Sequence, residues 1–202
     1  MEDRELERAR GLLEALSSDL NGSFELLVLT HQDRLYSFAL RLSGNSQDAE
    51  EIAQDAFVRA YRALRGYDAE RIHALALRPW LYQIALNVFC NRARRLRVDT
   101  VSIGGDGEDE TRPELADDAQ RRPEAALARA ERDQELAALL AGLPQRYRAA
   151  VILRFVEGLS YAELAAVLGQ PPGTVKANVH RGIEWLRRAT SVSGNGLGGD
   201  DG

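Results

Sequence analysis

The chain has 202 residues, 45% hydrophobic and 28% charged, with a net charge of −5, which is ordinary for a soluble globular protein. One cysteine and three histidines exclude an internal disulfide framework and a cysteine-rich zinc site. No apolar run is long enough to span a membrane and the N-terminus lacks the apolar core of a signal peptide, so we expect a cytoplasmic protein without membrane insertion. No paired carboxylates, phosphate-binding loop or nucleophile–base pair can be assembled, so the sequence predicts no enzyme, cofactor or metal site.

The N-terminal part of the sequence is helical by its apolar period. Residues 1–20 predict a short amphipathic helix that precedes a first module, residues 21–97. Apolar residues recur at helical spacing from Phe24 to Leu42, and Ser43-Gly44-Asn45 should end that helix. Ser46 is the candidate N-cap of a second helix, whose apolar stripe runs from Ala49 to Leu64.

The other side of this second helix is partly acidic. It carries Glu51, Gln54, Asp55, Val58 and Arg62. A solvated face is the usual explanation of such charge. A face that binds a basic protein partner is the sharper hypothesis, because an acidic rim surrounds the exposed Val58.

A third helix is predicted from about Trp80 to Arg97, after a loop of residues 65–79. Residues 78–97 contain five arginines and no acidic residue, with aromatic side chains between them. Such a mixture suits single-stranded or flipped bases, which offer faces for stacking and edges for hydrogen bonds. The alternative is that Trp80 and Tyr82 belong to the core and that the arginines only stabilise a helix C-terminus.

A linker with unusual charge follows. Residues 98–122 hold eight acidic residues and three arginines, which accounts for the whole net charge. They combine Gly, Pro and acid without apolar periodicity, so they predict a flexible tether that could extend to about 80 Å. The modules on either side should then move independently.

The second module, residues 123–190, is predicted to contain about four helices, followed by a disordered tail at 191–202. Pro123 and Pro144 fit first-turn positions, and Gly142 and Gly158 fit helix C-terminal caps. Ser160-Tyr161-Ala162-Glu163 is a capping box, Gly169 closes its helix, and Pro171 opens the next. Two helices joined by such a tight turn predict a helix-turn-helix.

The last helix has two unlike faces. Its apolar stripe consists of Val175, Val179, Ile183 and Leu186. The opposite face presents cationic, amide and imidazole side chains suited to phosphates and base edges, and a solvated polar face is the alternative.

Two segments together resemble a known family. SQDAEEIAQDAFVRAYRALRGYD, followed by RPWLYQIALNVFCNRARR, resembles region 2 of the sigma-seventy family in its extracytoplasmic-function (ECF) form. LAGLPQRYRAAVILRFVEGLSYAELAAVLGQPPGTVKANVHRGIEWLRRA resembles region 4. The resemblance implies an all-α fold of two small domains and an alternative sigma factor, which would bind core RNA polymerase and direct promoter-specific initiation. The chain departs from the family at residues 65–79, where its loop is several residues longer than in many relatives.

The resemblance also assigns roles to residues. Glu51, Gln54 and Asp55 would bind the β′ clamp of core polymerase, and region 4 would bind the β flap. The −10 element of promoter DNA would be melted and held by Trp80, Gln83, Asn87, Asn91, Arg94 and Arg95. The −35 element would be read by Thr174, Lys176, Asn178, His180 and Arg181. An anti-sigma factor is a further partner that the resemblance implies.

Two other classes of protein remain open from the residues alone. An autonomous helix-turn-helix regulator would bind duplex DNA tightly without polymerase. A purely helical interaction protein would show no salt-dependent binding of nucleic acid.

Overall fold

The computed structural model describes residues 2–101, 131–132 and 136–193, and every regular element in these ranges is helical. The predicted all-α fold class is confirmed. Most of the predicted linker and tail lies outside the described residues, as does Pro123. Residues 98–101 of the predicted linker and 191–193 of the predicted tail belong to the helices that precede them, which end at Val101 and Ser193.

The first module and its N-terminal extension contain five helices in the described residues. They are α1 (Glu2–Ser18), α2 (Leu20–Ser43), α3 (Ser46–Leu64), α4 (Ala69–His73) and α5 (Leu77–Val101). Helices α2, α3 and α5 pack against one another, and α1 packs against α2 and α4. The apolar stripe predicted for α3 is buried except for Tyr61, which is half-exposed and lies edge-on to Phe24.

Helix boundaries in this module follow from side-chain caps. Asp19 accepts a hydrogen bond from the Gly22 backbone N–H at the start of α2, and Gly44 ends α2 with a left-handed φ of 74°. The N-cap of α3 is Asn45, whose Oδ1 accepts from the Asp48 N–H at 3.0 Å. The assignment of Ser46 as N-cap was therefore wrong by one residue, because the Asn45 amide oxygen supplies the acceptor first.

The segment 65–79 is not the plain loop that the sequence predicted. It contains α4, which begins after Asp68, whose carboxylate accepts from the Arg71 backbone N–H at 2.8 Å. Ile72 is buried, and α4 packs on α1. A five-residue helix is too short for its periodicity to be visible, since burial against α1 and not propensity stabilises it.

The second module has the predicted four helices in its described part. They are α6 (136–141), α7 (Gln145–Val151), α8 (Tyr161–Leu168) and α9 (Pro172–Ser193), and α7 continues into one π-helical turn, Ile152–Val156. The capping box of Ser160 and Glu163 is present, and Gly169 ends α8 with φ 59°, so the helix-turn-helix is confirmed. Pro144 and Pro171 precede their helices instead of occupying the first turn.

The two modules are in contact in the structure, and their independent motion stays a prediction. Helix α8 packs on α5, and α7 packs on α2. Arg148 Nη1 donates to the Leu42 carbonyl at 2.6 Å, so side chains of the second module cap the end of α2. The tether composition could not reveal this contact, which depends on surfaces of both modules.

Candidate nucleic-acid interface

One face of α5 collects most of the residues assigned to the −10 element. Trp80, Gln83, Asn87, Asn91 and Arg94 lie within a narrow sector of the helix and form what we call the α5 stripe. Asn87 and Arg94 are exposed, whereas the other three are half-buried. Arg95 is exposed next to the stripe. The stripe thus presents amide and guanidinium groups in a row, the donors that base edges and phosphates accept.

Trp80 lies at the start of the stripe, next to Tyr67 and Arg71 of the preceding segment. Its ring lies 6.2 Å from the ring of Tyr67, and the Arg71 guanidinium lies 3.8 Å from the Tyr67 ring centroid. Trp80 also packs against the core, as the alternative interpretation expected. Tyr67 and Arg71 were not recognised from the sequence, although RGYDAER places an aromatic residue and arginines just before the stripe.

Tyr82 follows the alternative interpretation and belongs to the core. It is 2% exposed and its ring lies 4.8 Å from that of Phe38. Burial, together with the neighbouring Glu157 carboxylate, raises the pKa of Tyr82, so its hydroxyl remains protonated and donates a hydrogen bond to Glu157.

The outward face of α9 carries four of the five residues assigned to the −35 element. Thr174, Lys176, His180 and Arg181 are exposed. They border or lie next to a groove of about 700 Å³ whose floor includes Phe155, itself 60% exposed. A cationic rim around an accessible helix face is what insertion into a major groove requires.

Asn178, the fifth residue assigned to the −35 element, does not lie on this exposed face. It is 7% exposed, and its Nδ2 donates to Gln170 Oε1 at 3.0 Å. The amide ties α9 to the turn that precedes it, so it orients the recognition helix from inside. A helical wheel does not reveal the burial of Asn178, because the turn before α9, which contains Gln170, covers that side of the helix.

The predicted polymerase-binding face of α3 is exposed only in part. Gln54 and Asp55 are exposed, and Val58 is 47% exposed. Glu51 is half-buried and its Oε2 lies 2.6 Å from Arg92 Nη2 on α5, where Asp48 also binds. Glu51 thus bridges α3 to α5, while Gln54, Asp55 and Arg62 are exposed on the same face.

A cluster at the contact between the modules was missed entirely. Glu157, just after the π-helical turn, accepts from Arg41 of α2 at 3.3 Å and from the Tyr82 hydroxyl. Its backbone carbonyl accepts from Arg78. The side chains of Arg41 and Glu157 are only 10% and 7% exposed. We call Arg41, Arg78, Tyr82 and Glu157 the Glu157 cluster; Glu157 lies at least 75 residues along the chain from the other three, so no local pattern marks them.

Cys90 is a half-buried thiol at the same contact. Gln145 of α7 donates to its sulfur at 3.5 Å. Burial raises the pKa of the Cys90 thiol, against smaller opposing effects of Gln145 and Arg94. A thiol of raised pKa is a poor nucleophile at neutral pH, so the contacts of Cys90 fit a role in packing.

The part of the chain that the structure describes contains neither a metal-binding cluster nor a membrane-spanning helix. No group of three His, Cys, Asp or Glu side chains there has a geometry that could hold a metal ion. None of the helices in those residues is both long enough and apolar enough to cross a bilayer.

Comparison with known proteins gives the same division of the chain. The family model of sigma-70 region 2 matches residues 27–98, and that of sigma-70 region 4 matches residues 133–186. In a solved structure, the sigma factor RpoE in complex with the anti-sigma factor NepR from Bartonella quintana is 26% identical to this chain. The two superpose with a TM-score of 0.63, over 84% of this chain and 97% of that one.

Curated relatives are ECF sigma factors. The ECF RNA polymerase sigma factor SigE of Mycolicibacterium smegmatis is 37% identical over 82% of this chain, which spans 60% of that protein's length. SigW of Bacillus subtilis is 33% identical over 82% of this chain and 88% of its own length. The matched regions, their order and the helix-turn-helix in the second of them show that the chain belongs to the ECF group of sigma-70 family RNA polymerase sigma factors.

Proposed function

We propose that this chain binds core RNA polymerase and directs it to promoters with two separated elements. One observation supports this more than any other. Two nucleic-acid-binding faces of different character lie on separate modules of one chain, in the order of sigma regions 2 and 4. The chain would bind core polymerase and position it on promoter DNA, while the polymerase carries out the chemistry of transcription. A protein with this role works in the cytoplasm.

The α5 stripe is suited to the −10 element. Stacking on Trp80 and hydrogen bonds from Asn87 become available to a base only after it leaves the duplex. Arg94 and Arg95 add positive charge for the displaced strand's phosphates. This side of the chain would therefore stabilise melted DNA and not the duplex.

The α9 face is suited to the −35 element as duplex. Lys176 and Arg181 project from the first turns of the recognition helix, which are the turns that reach base edges in a helix-turn-helix complex. His180 lies beside them, with its Nδ1 3.7 Å from Glu184, an ion pair that exists only when the imidazole is protonated. The two elements would thus be read by two different mechanisms.

Two protein partners complete the proposal. Gln54 and Asp55 on α3 would bind the β′ clamp, with Glu51 supporting α3 from the side. The second module would bind the β flap. An anti-sigma factor is a further partner, by analogy with the Bartonella quintana relative, whose structure contains one.

The test of the function is run-off transcription with a bacterial core polymerase. The templates carry a randomised upstream segment, and the 5′ ends of the transcripts are sequenced. We expect defined start sites preceded by two common elements, and only when the chain is present. Tight binding to a duplex without polymerase, and no change in transcription start sites, would favour the autonomous helix-turn-helix regulator instead.

The role of the α5 stripe has a separate test. We expect Asn87→Ala to slow open-complex formation on duplex templates and to leave initiation on pre-melted templates less affected. Gln32→Ala, an exposed amide on α2 away from the stripe, is the matched control. Equal melting by Asn87→Ala and the control would remove Asn87 from the −10 site.

A further inference from the structure

The N-terminal helix α1 supports the segment that precedes the α5 stripe. It packs on α2 and on α4. Three buried leucines of α1 belong to the same core as Ile72 of α4, which is 4% exposed: Leu12, Leu13 and Leu16. A single residue, Asp19, joins α1 to α2, and its carboxylate caps α2. Helix α1 therefore has a fixed direction on the first module and offers α4 an apolar surface.

A side-chain hydrogen bond also joins α1 to α4. Ser17 Oγ lies 3.0 Å from His73 Nε2 and donates to the Glu14 carbonyl at 2.8 Å. Because a hydroxyl has only one hydrogen to donate, His73 Nε2 carries the proton of the second bond and donates it to Ser17. A proton on Nε2 is compatible with both the neutral and the charged imidazole, so the bond between α1 and α4 does not depend on the charge of His73.

Helix α4 in turn holds an arginine against the aromatic residue next to the stripe. The Arg71 guanidinium lies 3.8 Å from the Tyr67 ring centroid, and the Tyr67 ring lies 6.2 Å from the Trp80 ring. A guanidinium that lies over an aromatic face keeps its N–H groups free to donate in its own plane to a base edge or a phosphate. Arg71 is exposed, so these donors would lie beside a base that stacks on Trp80.

Helix α4 depends on α1 for its stability. It has five residues, far fewer than a helix needs to be stable in water by itself, and Ile72 is its one buried residue. The cap from Asp68 supplies one hydrogen bond at its start. Without the apolar surface of α1, the burial of Ile72 would be lost, and with it the backbone conformation that places Arg71 over Tyr67.

We propose that α1 positions part of the −10 site: its contact with α4, through Ile72 and the Ser17–His73 bond, holds Arg71 beside Trp80 and thereby sets which unpaired base the site prefers. The proposal rests on the sigma-factor function proposed above. Ile72, Ser17 and His73 are positioning residues, whereas Arg71 contacts the DNA strand. A site that is held in place before binding loses less conformational freedom when the strand binds, so support from α1 raises affinity at this position.

The experiment uses the full chain bound to bacterial core polymerase. The probes are promoter templates found by run-off transcription, with the −10 element randomised and left unpaired, and the templates that bind are sequenced. Ile72→Ala removes the apolar contact between α4 and α1, Ile72→Val keeps most of it, and Arg71→Ala removes the proposed DNA contact. Ile52→Ala is the matched control for lost core volume, because Ile52 of α3 is 1% exposed.

We expect the parent protein to prefer particular bases within the unpaired element. Arg71→Ala and Ile72→Ala should lose the preference at the same position. There the ratio of the best to the worst base should fall by about five-fold or more, the lower end of the discrimination that an arginine contact to a base provides. Ile72→Val and Ile52→Ala should keep the parent preference.

A pair of serine variants gives a second test that leaves the core intact. The hydroxyls of Ser17 and Ser18 both donate to the Glu14 carbonyl, but only Ser17 also contacts His73. Ser17→Ala should therefore weaken the preference at the position that Arg71→Ala identifies, and Ser18→Ala should not. If Ile72→Ala loses helicity, this pair decides the question.

Two results would overturn the positioning role alone. Ile72→Ala and Ser17→Ala could select the same bases as the parent protein. Alternatively, Ile72→Ala could weaken binding equally at every position, as Ile52→Ala would if it only lowered stability. A parent protein that directs no polymerase to any promoter and selects no base would instead refute the sigma-factor function, and with it the site that α1 supports.

Discussion

At the scale of the residue, the surroundings of His31 strongly change its pKa. His31 lies on α2, close to Arg34 and Arg78. Burial first, and then the positive charges of these two arginines, lower the pKa of His31 to about 4. The imidazole is therefore neutral in the folded chain at neutral pH, whereas in the unfolded chain it titrates near its ordinary pKa of about 6.5.

This difference predicts a pH dependence of stability. Between pH 6.5 and 4 the unfolded chain binds more protons at this site, so stability rises with pH through that window and is lost as the pH falls. From pH 7 to 5 the loss due to His31 should be about 2 kcal/mol. Urea unfolding at both pH values checks this: His31→Gln should lose about 2 kcal/mol less than the parent protein. An equal loss in both proteins would contradict the buried neutral state.

The cationic residues of α9 should divide phosphate and base contacts between them. Lys is a mobile point charge suited to phosphate, whereas Arg can pair with guanine through two hydrogen bonds. We expect Lys176→Ala to weaken binding at all promoters and to lower the salt slope by about one unit. We expect Arg181→Ala to cost about 1–3 kcal/mol at one −35 position and to relax the preference there.

The measurement is a −35 mutant library transcribed with each variant at two salt concentrations. Arg59→Ala, an exposed arginine of α3, controls for the loss of one positive charge. A uniform loss across the library for Arg181→Ala would make Arg181 a phosphate contact and reverse the assignment.

At the scale of the element, close packing between helices depends on a glycine in α9. A Cβ atom at Gly182 would lie 2.5 Å from Val151 Cγ2 and 3.4 Å from Tyr147 Cβ, both on α7. At Gly173, in the first turn of the same helix, no atom lies within 4 Å of such a Cβ. The close packing of α9 on α7 therefore requires glycine at position 182, whereas position 173 has room for a side chain.

We expect Gly182→Ala to destabilise the chain by about 1–3 kcal/mol, because α9 must move away from α7. Gly173→Ala should be neutral or stabilise by up to about 1 kcal/mol, since alanine is the better helix former. Urea unfolding followed by circular dichroism compares the two. A Gly182→Ala protein as stable as the parent would show that α7 and α9 do not approach this closely.

Elements were predictable where their signals are local. The capping box at Ser160, the left-handed glycines 44 and 169 and the stripe of α3 depend on residues within a few positions of one another. Helix α4 and the π-helical turn were not predictable. Both are stabilised by what they pack against, and neither is long enough to show a period.

At the scale of the whole molecule, the outer face of α3 should decide assembly with polymerase. A double substitution of Glu51 and Asp55 would also break the Glu51–Arg92 bridge between α3 and α5. The single change Asp55→Arg avoids this, because Asp55 is exposed. It should abolish co-purification with core polymerase without loss of helicity, because a basic partner would meet a like charge.

Asp33→Arg on α2 is the matched control, an exposed acid away from the α3 face. Co-purification of Asp55→Arg at the parent yield would show that polymerase binds elsewhere. Loss of co-purification in both variants would point to net charge and not to a specific face.

The sequence by itself determined the two helical modules, their order, the helix-turn-helix and the outward faces of α5 and α9. These follow from apolar period and from caps, which are properties of consecutive residues. Only the tertiary structure decided that Asn178 turns inward to Gln170, that Tyr82 is core and that Glu51 bridges to Arg92. It also decided that Glu157 joins the modules, across separations of 116 residues to Arg41 and 75 to Tyr82. A helical wheel gives the direction of a side chain, but burial and hydrogen bonding depend on which surface arrives opposite it, and that surface comes from a distant part of the chain.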